Sequence, residues 1–396
     1  MDSQNKIHSH SSVSMICQNC KNDFTIEPDD FSFYEKINVP SPTFCPECRM
    51  IRRMVWRNVR SLNRRECGLC HKVLISMYSD KEAPVYCTEC WSSDKWDQFA
   101  TGVDYNFSEN FFIQFSRLLH KAPRFFNYRS GNLINSDFTN YSVDNKNVYL
   151  SFSTIENEEV MYSETIDKSK NCLDCEYFVI GRNCSNCFGC VGLTNAKYCI
   201  LNKQYEKEEY FKMVEKIKNH INENPYIDTK GRVFKYGEFF PYNLSPFGYN
   251  ETNAHDFFMI SKEEAISKGY NWKEKEKRDY NITIKSNDLP DSIQEVKDEI
   301  LTEIIGCPNE GNCDFQCTTA YKIVAEELNF YRQKNLPLPR YCPNCRHYNR
   351  LKYRNKMKLY HRTCMREGCS NEFETTYSIN NPEVVYCEKC YQNEVS

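Results

Sequence analysis

Residues 67–90 read CGLCHKVLISMYSDKEAPVYCTEC, and this stretch decides the fold. Cys67-Gly-Leu-Cys70 is a Cys-x-x-Cys turn, which sets two thiolates on one side of a tight knuckle. The alternation in KVLISMY predicts a strand, SDKEAP a turn and VYC a second strand. Cys87-Thr-Glu-Cys90 supplies two more thiolates and opens WSSDKWDQF, which reads as a helix start whose dipole favours them. Two such knuckles complete a tetrahedral Zn²⁺ shell. Knuckle, hairpin and a second Cys-x-x-Cys at a helix N-terminus are the layout of a treble-clef finger.

Working outward, Cys17/Cys20 and Cys45/Cys48 form two further doublets, so residues 17–90 hold eight ligands and two zincs. Neighbouring doublets are the preferred pairing; a cross-braced sharing of alternate doublets fits the same spacing. The chain has 23 cysteines, an odd number that argues against a fully paired disulfide framework. The opening MDSQNKIHSHSSVS has no apolar core of a secretory leader, and the greasiest stretch, FFIQFSRLL from Phe111, is too short to span a bilayer. A reducing, cytoplasmic setting is therefore expected, where paired cysteines bind metal.

The module recurs at the other end. Shifted by 297 residues, FTIEPDDFSFYEKINVPSPTFCPECR from Phe24 lies without a gap over YKIVAEELNFYRQKNLPLPRYCPNCR from Tyr321. Cys45/Cys48 fall on Cys342/Cys345, Arg57-Asn58 on Arg354-Asn355, Cys67 on Cys364 and, after small insertions, Cys87/Cys90 on Cys387/Cys390. Cys20 maps to Cys317, whereas Cys17 maps to Asp314. Cys313, one residue away, is the expected ligand there, with Cys307 a second candidate. The last knuckle widens to Cys364-x₄-Cys369. Four zincs and sixteen ligands result.

Six of the seven remaining cysteines lie between residues 172 and 199, inside a twelve-residue period. One column reads Asn135, Asn147, Glu159, Asn171, Asn183, Asn195; another Thr139, Ser151, Ser163, Cys175, Cys187, Cys199. Cys172 and Cys184 share a third column with Ser136, Val148, Val160 and Ala196. Small residues in fixed columns, with a recurring Asn that tolerates a left-handed corner, predict a short β-solenoid over 135–203. Its cysteines read as stacked core thiols; facing thiols about 4.8 Å apart could instead hold metal. Cys190 is off the columns.

The expected architecture is thus multidomain α+β. A disordered tail spans 1–16 and a double-zinc module 17–100. A capping helix and connector follow over 101–134, then the solenoid at 135–203. Helices and an aromatic, Pro-rich connector occupy 204–303, and a second double-zinc module 304–396. Helices are expected at Ser108–Lys121, from Lys207, from Ser261 to Gly269, and over SIQEVKDEILTEI after Asp291.

The combination of CPECRMIRR, CGLC, VYCTECW, the Cys-dotted repeat, SPFGYNET and a second CPNCR module resembles uncharacterised zinc-ribbon proteins of the candidate-phyla-radiation bacteria. The resemblance covers almost the whole chain. It implies a cytoplasmic bacterial zinc protein and supplies no activity.

Charge is segregated. The chain is nearly neutral at −3, yet Thr43–Lys72 carries net +6 and Arg340–Cys369 net +8, leaving −17 elsewhere. CPECR is expected to open a long helix. At about 100° per residue, Ile51, Val55, Val59 and Leu62 share one of its sides, and Arg49, Arg53, Arg57, Arg60 and Arg64 the other. Arg346, Arg350 and Arg354 repeat the first three matching positions. A solvated face normally mixes both signs, whereas this one is all arginine, whose planar fork suits phosphate oxygens. The expected function is a zinc-stabilised nucleic-acid-binding scaffold, reading backbone or shape with RNA preferred over DNA. A protein-interaction adaptor with purely structural zinc is the alternative. Nothing points to a membrane or a small-molecule substrate. Catalysis is the weakest reading: no phosphate loop, nucleophile elbow or paired-carboxylate motif is present, and all-cysteine sites leave no open metal position.

Overall fold

The first cysteine knuckle of each pair lies in the turn of a small hairpin and the second at the start of a helix, and the chain is built outward from these turns. The computed structural model describes residues 11–36, 39–80, 82–127, 129–131, 134, 139–146, 151–155, 158–161, 164–167, 170–173, 185–193, 196–238, 240–275 and 279–395. It divides into two units, Met1–Ala254 with Ile260–Glu274, and His255–Met259 with Lys275–Ser396.

In the first unit β1 (Val13–Ile16) pairs antiparallel with β2 (Asp23–Ile26), with the Cys17 knuckle as their turn. The first strand therefore begins at Val13, inside the stretch expected to be a disordered tail. Helix α1 (Pro28–Lys36) leads to α2 (Pro46–Met54), which starts at the extended Cys45 with Pro46 in its first turn. The second knuckle repeats the plan: β3 (Asn63–Glu66) pairs with β4 (Val73–Ser76) around Cys67 and Cys70. Lys21 and His71 both take φ of 62° to close their knuckles. Then β5 (Val85–Tyr86) leads into Cys87, the N-cap of α3 (Thr88–Trp91).

Two helices are shorter than expected. The long arginine helix ends at Met54 because Asn58 builds a turn. Its Nδ2 donates to the Ser61 and Met77 carbonyls at 2.9 and 2.8 Å, and its Oδ1 accepts the Ser61 N–H at 2.9 Å. WSSDKWDQF does not continue α3. The Ser93 hydroxyl and Trp96 Nε1 donate to the Cys90 and Trp91 carbonyls, at 2.8 and 3.1 Å, where a longer helix would need those acceptors.

The capping helix α4 (Phe111–Lys121) is N-capped by Asn110, whose side chain accepts the Phe112 N–H at 2.8 Å. Short strands follow: β6 (Arg124–Phe125), β7 (Arg129–Ser130), β8 (Thr139–Val143), β9 (Ser151–Ile155), β10 (Glu158–Met161), β11 (Glu164–Asp167), β12 (Lys170–Leu173), β13 (Ser185–Phe188), β14 (Lys197–Ile200) and β15 (Lys203–Gln204). Thr139 pairs with Ser151, Phe152 with Glu164, Val160 with Cys172 and Cys187 with Cys199, all parallel and all twelve residues apart. Among the described residues these strands form separate sheets and none closes. Cys175 and Cys184 lie outside the described residues.

Helix α5 (Lys207–Glu223), the ribbon β16 (Tyr226–Ile227) with β17 (Val233–Phe234), and α7 (Lys262–Ser267) complete this unit; α6 (Asn253–Phe257) spans the division. One core joins zinc knuckle and connector: Phe44, Cys48 and Val55 pack with Phe112, Phe115, Ile217, Phe234 and Tyr242. Its polar tie is Glu238, which accepts Arg52 Nη1 at 2.6 Å and both the N–H and hydroxyl of Thr43, at 2.8 and 2.7 Å.

The second unit repeats the zinc module on β18 (Ile284–Lys285), β19 (Ile305–Gly306), β20 (Ala320–Tyr321), α8 (Ala325–Lys334), α9 (Pro343–Leu351), the hairpin β21 (Tyr360–Thr363) with β22 (Glu372–Thr375), and α10 (Glu388–Val395). The helix expected over SIQEVKDEILTEI is instead two 3₁₀ turns at Ile293–Glu295 and Asp298–Leu301. Arg332 Nη2 takes the intervening Val296 carbonyl at 2.9 Å. Among the described residues no helix is long and apolar enough to cross a membrane.

Candidate metal centres

Sixteen thiols gather into four groups, in each of which the sulfur atoms lie within 4.8 Å of one another: Cys17, Cys20, Cys45, Cys48; Cys67, Cys70, Cys87, Cys90; Cys307, Cys317, Cys342, Cys345; and Cys364, Cys369, Cys387, Cys390. Neighbouring doublets share a centre, so the cross-braced alternative falls. The Sγ–Sγ separations of 3.7 Å for Cys20–Cys45, 3.8 Å for Cys70–Cys87 and 3.8 Å for Cys317–Cys342 match the edge, about 3.8 Å, of a tetrahedron with Zn–S bonds of about 2.3 Å. The donor set and its size fit four zinc ions.

Backbone N–H groups prepare each centre for negative charge. In every group the third cysteine donates its N–H to the first cysteine's sulfur: Cys45 to Cys17 at 3.3 Å, Cys87 to Cys67 at 3.4 Å, Cys342 to Cys307 at 3.5 Å and Cys387 to Cys364 at 3.3 Å. The thiols titrate against one another. A hydrogen bond from Cys48 pulls Cys45 down to about 5, while the same contact, with burial, drives Cys48 up. Burial opposes ionisation of Cys67, but the N–H groups of Cys70, Cys87 and Leu69 outweigh it and bring the thiol to about 6. Four adjacent thiols cannot all ionise without a cation, and a divalent metal supplies that charge.

One ligand differs from expectation. The fourth thiol of the third group is Cys307, not Cys313. The gapless alignment failed here because nine residues separate Cys307 from Cys317 where two separate Cys17 from Cys20. The surroundings fix the correspondence: Asn19 Nδ2 donates to Cys48 Sγ at 3.2 Å, and Asn309 Nδ2 donates to Cys345 Sγ at 3.1 Å. Each Asn lies two residues beyond the first cysteine, a signal present in the sequence but hidden by the insertion. Cys313 sits in that insertion with its sulfur 3.9 Å from Cys345 Sγ, outside the four-thiol group.

Three mid-chain cysteines act as thiol donors to backbone carbonyls: Cys187 to Ala196 at 3.6 Å, Cys199 to Lys197 at 3.4 Å and Cys190 to Phe188 at 3.6 Å. Burial pushes the Cys190 thiol up to about 12. The side chain of Cys172 lies outside the described residues.

The expected arginine stripe is dispersed. Only Arg49 and Arg53 of the first five are on α2. Arg49 Nη1 donates to the Tyr34 hydroxyl at 3.0 Å. Arg53 is exposed, its guanidinium pushed down by desolvation and by the charges of Arg49 and Arg52. Arg57 and Arg60 are half-buried in the turn after the helix, and Arg64 is exposed on β3. In the second copy Arg346 donates to the Tyr331 hydroxyl at 2.9 Å, Arg350 is half-buried on α9, and Arg354 lies 4.0 Å over the Phe257 ring. Reading the sequence as one long helix missed the buried Arg52–Glu238 pair.

Comparison of the chain with protein families, with curated proteins and with solved structures finds no match.

Proposed function

We propose that this chain is a zinc-stabilised nucleic-acid-binding scaffold of a reducing, cytoplasmic compartment, gripping phosphate backbone or shape, with RNA preferred. The observation that carries the reading is electrostatic: Leu328–Arg366 contains eleven Lys and Arg residues and no carboxylate, in a chain of net charge −3. Within it Lys352, Lys356 and Lys358 are exposed, and none pairs with a carboxylate among the described residues. Treble-clef architecture for each zinc site is supported by the knuckle hairpins and by Cys45, Cys87 and Cys342 standing at helix starts. A β-solenoid in the middle is supported by the twelve-residue offset of its parallel pairs.

The test is binding to transfer RNA, ribosomal RNA and duplex DNA across a salt series. Charge reversal at Lys352, Lys356 and Lys358 is expected to weaken all of them, flattening the log–log salt slope by roughly 0.7–0.9 per lost phosphate contact. Absence of binding at low salt would favour the adaptor reading. That second reading draws on Ile379, Val384, Tyr391 and Val395, exposed apolar side chains of the C-terminal segment.

A further inference from the structure

The duplication brings matched residues into opposite environments. The segment after α2 is lined by Val55, Trp56, Val59 and Ser61; the 297-residue shift places Lys352, Tyr353, Lys356 and Lys358 at those positions after α9. In the first copy this loop is covered by the chain itself. Val55 and Val59 are buried, and their carbonyls accept the Ser245 hydroxyl at 2.6 Å and Asn140 Nδ2 at 3.2 Å. Trp56 packs between Phe115 of α4 and Phe240, with ring centroids 6.3 and 5.4 Å away.

In the second copy the corresponding loop faces solvent. Tyr353 is 93% exposed, and Lys352, Lys356 and Lys358 around it are exposed as well. The two buried valines and the half-buried Ser61 have each become a lysine, and the aromatic position has kept its ring but lost its cover. The ring offers both faces to a flat partner and stands among three cations. Three lysines exclude an apolar protein cover like that of Trp56 and specify a polyanion carrying flat, π-faced groups.

We infer that the 352–358 loop binds single-stranded nucleic acid, with Tyr353 stacking on an unpaired base and Lys352, Lys356 and Lys358 flanking the adjoining phosphates. This rests on the nucleic-acid reading above and names its substrate class. Unpaired strands are specified because a base in a duplex has its faces already stacked, whereas a tyrosine on an irregular loop can take only a free face.

The test measures fluorescence anisotropy of the full-length, zinc-loaded protein with a labelled oligouridine, an oligothymidine and an RNA duplex of equal length. Tyr353→Ala is expected to weaken single-strand binding about tenfold and leave duplex binding within twofold. Tyr353→Trp should retain single-strand affinity. Because the side chain projects into solvent, zinc content should be unchanged in both, which separates a lost contact from a misfolded protein. Comparable loss with uridine and thymidine strands assigns the base face as the feature recognised; loss with uridine alone assigns RNA. If Tyr353→Ala binds single strands as tightly as the unaltered protein, stacking is overturned while the nucleic-acid reading stands. If the unaltered protein binds no oligonucleotide at low salt, both fall, and the loop becomes a surface for an acidic protein.

Discussion

Arg346 donates to the Tyr331 hydroxyl at 2.9 Å, and 297 residues earlier Arg49 donates to the Tyr34 hydroxyl at 3.0 Å. The duplication has preserved a geometric pair along with the ligands. In both copies the bond ties the helix that opens with the second zinc knuckle to the helix before it, α2 to α1 and α9 to α8. Two of the arginines expected to grip phosphate therefore have structural partners of their own. Arg49→Met should lower the stability of the first unit by about 1 kcal/mol, measured by urea unfolding, the value of one charge-assisted hydrogen bond with partial exposure. Oligonucleotide affinity should stay within twofold.

Elemental analysis of protein purified without chelator should give four zincs per chain. Cys307→Ser should remove one of them and Cys313→Ser none, because only Cys307 belongs to the third four-thiol group. The reverse outcome would return the ligand role to Cys313. Structural zinc binding is folding free energy, so Cys307→Ser should also destabilise the second unit while sparing the first.

The Arg52–Glu238 pair is buried on both sides, with side-chain exposures of 3% and 6%. Glu238→Gln leaves a buried guanidinium without its counter-charge and loosens Thr43 as well. A loss of about 3–5 kcal/mol is expected in the first unit. The double variant Arg52→Met/Glu238→Met should recover part of it, since two apolar side chains remove the uncompensated charge; no recovery would mean the pair contributes chiefly through the hydrogen bonds to Thr43.

His255 is fully buried, and its Nε2–H donates to the Asp314 carbonyl at 3.1 Å. Burial holds its pKa below the usual 6.5. Above pH 6.5 it is neutral folded or unfolded. As the pH falls below that value the unfolded chain takes up a proton that the folded unit refuses, so stability declines until the folded pKa is reached. The slope from this group cannot exceed about 1.4 kcal/mol per pH unit. Urea unfolding of zinc-loaded protein at neutral and mildly acidic pH should show a smaller decline for His255→Gln than for the unaltered chain. Equal declines would assign the acid sensitivity to the metal centres.

Much of the metal chemistry was legible in order along the chain. A Cys-x-x-Cys spacing constrains its own backbone, so Cys67/Cys70 or Cys342/Cys345 declare a knuckle before any fold is known. The duplication is equally local, a register running through Phe33-Tyr34 and Phe330-Tyr331. The twelve-residue column that aligns Cys187 with Cys199 anticipated their pairing, because residues one period apart fall side by side. What the sequence could not decide was which residues from distant segments meet. The insertion between Cys307 and Cys317 moved a thiol without changing the chemistry on offer, and the folded positions of Cys307 and Asn309 show which thiol replaced Cys17. Helical periodicity carried the arginine stripe past Met54, because it takes no account of Asn58, whose side chain finds its acceptors in Ser61 and Met77 and ends the regular backbone. The fates of Trp56 and Tyr353 likewise depend on packing: identical register, one half-buried and one in solvent, decided by whether Phe115 and Phe240 arrive to cover the ring.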